Sequence, residues 1–158
     1  GVHDLYFGLH NQTTEKLRFM EKLMLDAGIK AKLTPEIGKI IWRKFIFIST
    51  TATLTSYFNV GFRDLLTDSY RKEITLKIIR EVSAIAHAEG IRFDSDIVET
   101  TVRHIERLPF GTTASMHSDF SAGKNTELNT LTAIVIEKGK KHGIETPTYQ
   151  KVYDELKK

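Results

Sequence analysis

Lys44 stands inside the stretch KIIWRKFIFIST (residues 39–50), surrounded by large apolar side chains. At helical spacing Ile37, Ile40, Ile41, Lys44 and Ile48 share one stripe, so the lysine holds a position where a core residue is expected. Burying an unpaired ammonium costs several kcal/mol, which leaves three states for such a lysine: paired, neutral, or lining a wet cleft. In a cleft it would donate a proton or anchor an anionic substrate. The competing explanation is a side chain that snorkels to the surface or pairs with a nearby carboxylate. A second stretch, SMHSDFSAGKNTEL (residues 115–128), offers the hydroxyls of Ser115, Ser118 and Ser121, the carboxylate of Asp119, and Glu127 opening a helix. Taken alone it reads as a loop, because a carboxylate in a first turn is favoured by roughly 0.3–1 kcal/mol without any function.

Other chemistry finds little support. The six histidines (His3, His10, His87, His104, His117 and His142) are scattered, with no H-E-x-x-H, and no metal site is expected. His117, close to Ser115, could touch a substrate, with a surface histidine as the default. There is no cysteine, which removes disulfides and thiolate zinc sites. No serine sits in a nucleophile elbow. A net charge of +3 on 158 residues is too small and too scattered to argue for nucleic acid, and EKGKKHG reads as the solvated end of a helix. No apolar run approaches the roughly 20 residues that span a bilayer, and nothing resembles a signal peptide, so no membrane is expected and the cytoplasm is the default compartment. The chain opens on Gly1 rather than methionine, which suggests a processed or tagged start, or a piece of something longer.

The elements that must position these residues are mostly helical. GVHDLYFGLHNQ reads as strand and turn. TTEKLRFMEKLMLDAG reads as a helix capped by Thr13 or Thr14, with Leu17, Met20, Leu23 and Met24 on one face and Gly28 as terminator. IKAKLT alternates as a second strand, and this β-α-β order over residues 1–33 looks like the tail of an α/β layer. The texture changes at Thr34, which caps a helix with Pro35 in its first position. That helix is apolar on nearly every side through FIFISTTATLTSYF, the pattern of a buried central helix. SYRKEITLKIIREVSAIAHAEG carries the stripe Ile74, Ile78, Val82 and Ile85 and stops at Gly90. Asp94 or Ser95 caps a helix ending before Pro109. PFGTTASMHSDFSAGKN is a link, TELNTLTAIVIEKGKKHG a helix ending at Gly143, and TPTYQKVYDELKK a last helix with Thr146 as cap and Pro147 first.

In their order, IWRKF, SMHSDFSAGKNTE and HGIETPTYQKVYDELK resemble the C-terminal domain of ketopantoate reductases, the 2-dehydropantoate 2-reductases, from about Thr34 to Lys158. That family's pattern of W-x-K, S-M-x-x-D, T-E and G-I-x-x-P reads here as Trp42-Arg43-Lys44, Ser115-Met116 with Asp119, Thr126-Glu127, and Gly143-Ile144 with Pro147. The resemblance implies a mainly α, multi-helix domain (residues 34–158) of the 6-phosphogluconate-dehydrogenase C-terminal-like type. A short β-α-β remnant of a dinucleotide-binding Rossmann domain (residues 1–33) precedes it. It also implies NADPH-dependent reduction of a 2-oxo acid, with Lys44 as general acid and Glu127 holding it, binding substrate and touching cofactor. Ser115, Thr112 and Thr51 become candidate substrate contacts. The phosphate-binding G-x-G-x-x-G is absent from the sequence, so NADPH would be held mainly by a separate N-terminal domain, and the fragment is not expected to be active alone. Partners would be the 2-oxo acid, that Rossmann domain and, as a candidate, a second copy. The chain departs from the family at Ile48 and Ala52, where asparagines are common, and at Thr112. A non-catalytic helical dimerisation module is the alternative.

Overall fold

Alternating apolar residues at Leu5–Phe7 and Ala31–Leu33 form two short strands, β1 and β2, joined by the helix α1 (Glu15–Asp26). The computed structural model describes residues 4–158, so His3 and the first residues of the opening strand-and-turn stretch lie outside the described residues. The strands run parallel, with Leu5 opposite Ala31 and Phe7 opposite Leu33. Thr14, not Thr13, caps α1 by accepting the Leu17 N–H. Gly28, at φ +77°, supplies the left-handed turn that ends it. The Glu21 carboxylate accepts the Leu33 N–H at 2.6 Å. Met20 and Leu23 do not share an inward face with Leu17 and Met24. They are exposed with Phe19, while Leu17, Glu21 and Met24 form the inner row at i, i+4 and i+7. Gly8 is obligatory, since a Cβ there would lie 2.0 Å from the Thr34 carbonyl oxygen.

The central helix α2 (Ile37–Phe58) starts two residues later than Thr34 and Pro35 suggest. Thr34 Oγ1 accepts the Glu36 N–H in a turn that precedes the helix. Next come a 3-10 turn (Arg63–Leu66), α3 (Ser69–Ala88), α4 (Ile97–Arg107), α5 (Ser115–Ser121), a π-helical turn (Asn129–Ala133), α6 (Ile134–His142) and α7 (Pro147–Leu156). The chain divides into two units, Gly1–Trp42 and Arg43–Lys158, so α2 opens in the first and continues in the second. The core of the second unit combines Ile46 and Leu54 of α2 with Ile78, Val82 and Ile85 of α3. Leu65, Ile105, Met116, Val135, Tyr149 and Val152 complete it. Asp96, rather than Asp94 or Ser95, caps α4, because only its carboxylate reaches the N–H groups of Val98 and Glu99. At α7 Thr146 makes no capping bond. Glu81, from α3, accepts the Thr148 and Tyr149 N–H groups instead, a carboxylate at a helix start that also joins the two helices.

Two departures from the expected elements concern the site. PFGTTASMHSDFSAGKN is not all link: α5 forms inside it, anchored by Met116, which is fully buried. The helix expected through TELNTLTAIV is interrupted by the π turn. In that turn backbone bonds shift by one residue, so some carbonyls lose their usual partner. The Leu131 carbonyl receives the Ser49 hydroxyl at 2.8 Å, and Thr53 and Thr132 bond through their hydroxyls at 2.7 Å. Ser49 Oγ also lies 2.6 Å from the Tyr149 hydroxyl. Ser49 has one proton, given to Leu131, so Tyr149 is the donor of that second bond. Burial pushes the Tyr149 phenol well above its ordinary range against the smaller opposing pull of the Ser49 bond, which keeps it a donor.

Replacing Ser49 by alanine leaves the buried Tyr149 hydroxyl and the part-buried Leu131 carbonyl without this partner and is expected to cost about 2–4 kcal/mol in urea denaturation. Adding Tyr149→Phe should recover part of that loss. Additive costs would show that the bond is not formed.

Candidate active site

Lys44 is exposed, and the stripe that seemed to bury it is not a core row. Ile37 and Ile48 are half-buried, and Ile41 is 58% exposed. The buried band of α2 begins at Ile46 and runs from Ser49 to Thr55. A helix apolar all round does not mark which part of its length is covered, which is why the lysine was expected inside. Its ammonium stays hydrated and needs no buried partner. Next to it, Arg43 lies 3.6 Å from the Asp94 carboxylate.

Thr51, 2% exposed, donates its hydroxyl proton to the Phe47 carbonyl at 2.8 Å, and Thr55, fully buried, donates to Thr51 O at 2.7 Å. Both hydroxyls are satisfied within their own helix. Thr112 is exposed, its hydroxyl donating to Pro109 O and its carbonyl accepting the Phe62 N–H at 2.9 Å. Ser115 is the exposed first residue of α5.

The segment holding Thr112 and Ser115 is fastened to the end of α2 by a histidine that sequence reasoning left on the surface. His117 Nε2 lies 2.7 Å from Asn59 Oδ1, and its Nδ1 lies 2.8 Å from Thr113 Oγ1. An amide oxygen only accepts, so with Asn59 in this orientation Nε2 carries the proton. In the neutral ring Nδ1 then accepts from Thr113. Asn59, at φ +52°, turns the chain out of α2. The legible hint was Thr113 and His117 at i, i+4 together with an asparagine after an apolar helix.

Glu127 is exposed and lies just ahead of the π turn that Ser49 and Thr53 hold. At about 100° per residue, those two side chains leave α2 some 140–180° from Lys44. The structure therefore ties the Glu127 segment to α2 without pairing the two charges. Among the described residues, no hydrogen bond or ion pair joins Lys44 to Glu127. Thr126 and Leu128 line a groove with Phe120, Lys124 and Tyr153, whose hydroxyl donates to Asn129 at 3.3 Å. Among the described residues there is no group of three or more histidines and carboxylates placed to hold a metal ion. No described helix is long and apolar enough to cross a membrane.

Compared with known families, residues 36–158 match the model of the ketopantoate reductase PanE/ApbA C terminal. The chain belongs to that family. Ketopantoate reductase relatives also match beyond this region. An uncharacterised oxidoreductase, YkpB of Bacillus subtilis, is 28% identical over 157 residues, covering 98% of this chain and 51% of that protein. A 2-dehydropantoate 2-reductase of Vibrio cholerae is 29% identical over 157 residues, covering 99% and 53%. The chain thus spans about half the length of the curated relatives it matches. A PanE/ApbA family ketopantoate reductase from Ralstonia eutropha shares the fold at a TM-score of 0.85 and 19% identity, over 99% of this chain and 51% of that one. The mainly helical architecture read from the sequence is the architecture of this family's C-terminal domain.

The His117–Asn59 contact can be measured directly. Asn59→Gly keeps the left-handed turn and removes the acceptor, while His117→Ala removes the donor. A double-mutant cycle in urea should return a coupling of about 0.5–3 kcal/mol, and additive effects would show that the two residues act independently.

Proposed function

We propose that this chain is the substrate-binding and catalytic C-terminal half of a cytoplasmic, NADPH-dependent reductase that converts 2-dehydropantoate or a related 2-oxo acid to the 2-hydroxy acid. The observation that carries this reading is the family match across residues 36–158, with a lysine on display at the matching W-x-K position. Residues 1–33 are read as the tail of the dinucleotide-binding domain. Phe19, Leu23, Leu25 and Ile29 support this, each about half or more exposed, as expected of a small α/β layer cut from a larger one.

NADPH supplies the hydride. As the carbonyl carbon accepts it, negative charge gathers on the oxygen, and the Lys44 ammonium stabilises that charge and passes over one proton, leaving an alcohol. Ser115 is assigned to the carboxylate of the substrate, and Thr112, whose hydroxyl proton goes to Pro109 O, is not assigned to it. Glu127 is assigned to orient Lys44 once substrate is bound, and its exposed carboxylate suits a cofactor hydroxyl. No other residue of this chain is assigned to NADPH. Thr51 is left out, its hydroxyl being buried and committed to Phe47. The non-catalytic module draws support from apolar Ile48 and buried Ala52 on the face of Lys44, and pairing of two copies through these helices fits either reading.

In the parent protein with its natural N-terminal domain, Lys44→Ala should lower kcat for a 2-oxo acid by about 10²–10⁴-fold, followed as NADPH oxidation. The isolated chain should show no turnover. An unchanged background rate in wild type and Lys44→Ala, across a panel of 2-oxo acids, would favour the module.

A further inference from the structure

We infer that the reductase proposed above favours a 2-oxo acid with a branched, wholly apolar side chain over one that carries a hydroxyl on that chain. The inference rests on Lys44 acting at the carbonyl and concerns what the same helix face presents next to it. From Lys44, the positions one, two and three turns on are Ile48, then Thr51 and Ala52, then Thr55. Ile48 is a half-buried hydrocarbon and Ala52 is 2% exposed. Thr51 and Thr55 are the only polar side chains among them, and both hydroxyl protons go to carbonyls of α2 itself.

Beyond Lys44 itself, this face therefore offers a substrate no hydrogen-bond donor. Its accessible part is the side chain of Ile48, which matches a methyl-bearing carbon beside the reacting carbonyl. The hydroxyl of Thr112 is likewise committed, to Pro109 O, and Ser115 is assigned to the carboxylate. A hydroxyl laid on Ile48 gives up water and gains no partner, and hydrophobic pockets reject an added hydroxyl by up to about a hundredfold.

A matched pair of substrates isolates this effect. Trimethylpyruvate is 2-dehydropantoate without its hydroxyl. In the parent protein, kcat/KM should favour trimethylpyruvate by about ten- to a hundredfold, with most of the difference in KM. Ile48→Asn, which sets an amide at this half-buried position, should move the ratio at least about tenfold back toward 2-dehydropantoate. A wild-type preference for 2-dehydropantoate overturns the inference whatever the variant does, and so does an Ile48→Asn enzyme that folds and keeps the wild-type ratio. Absence of turnover with both acids in wild type overturns the reductase reading and this inference with it. Turnover with the wrong preference overturns the inference alone.

Discussion

The Ser49 hydroxyl, fully buried, gives its proton to the part-buried carbonyl of Leu131 and takes one from the fully buried Tyr149. Three segments meet there: the middle of α2, the π turn ahead of α6, and the first turn of α7. Apolar packing alone lets helices slide by fractions of a turn, because one methyl contact is much like another. Directional bonds in a dry interior do not, since breaking either leaves a polar group with no replacement partner. Thr53 and Thr132, one turn further along, repeat the constraint. The register of α2 against the π turn is fixed by chemistry rather than by shape.

α2 is held through its buried half, and Ile41, Arg43 and Lys44 of its opening half are exposed. Ile41 and Lys44 are exposed on the same helix whose residues 49–55 are nearly all out of reach of solvent. A reacting lysine benefits from such a mounting, which combines a rigid backbone with an accessible ammonium. The second mounting is the His117 latch, which draws the Thr112–Ser115 segment to the far end of α2 through Asn59. α5 is only seven residues long and would not persist by itself, so burial of Met116 and this latch replace the helix length it lacks.

The glycine-terminated ends of helices were the most legible features, because they depend on single residues with one physical job, whereas several helix starts were not. Gly28, Gly90 and Gly143 each adopt the left-handed conformation expected of a terminator, and Pro147 opens α7. The family resemblance was carried by a few short motifs in order. Burial was less legible. From Ile37 to Phe58 the charges of Lys39, Arg43 and Lys44 fall in the open half of α2, but the apolar pattern runs through both halves, and coverage is decided by helices far along the chain. The π turn was also hidden, because a one-residue shift in backbone pairing leaves no mark on apolar periodicity. Asp96 lost out to its neighbours as a cap for a similar reason, the choice depending on which carboxylate reaches two N–H groups.

The central claim is that the Lys44 ammonium meets the carbonyl oxygen of the substrate. A crystal structure of the parent protein with NADP and a bound 2-oxo acid tests it most directly. The account predicts Lys44 Nζ within about 3 Å of that oxygen, on the side opposite the incoming hydride. A bound acid with its carbonyl against another donor, and Lys44 still pointing into solvent, would contradict it.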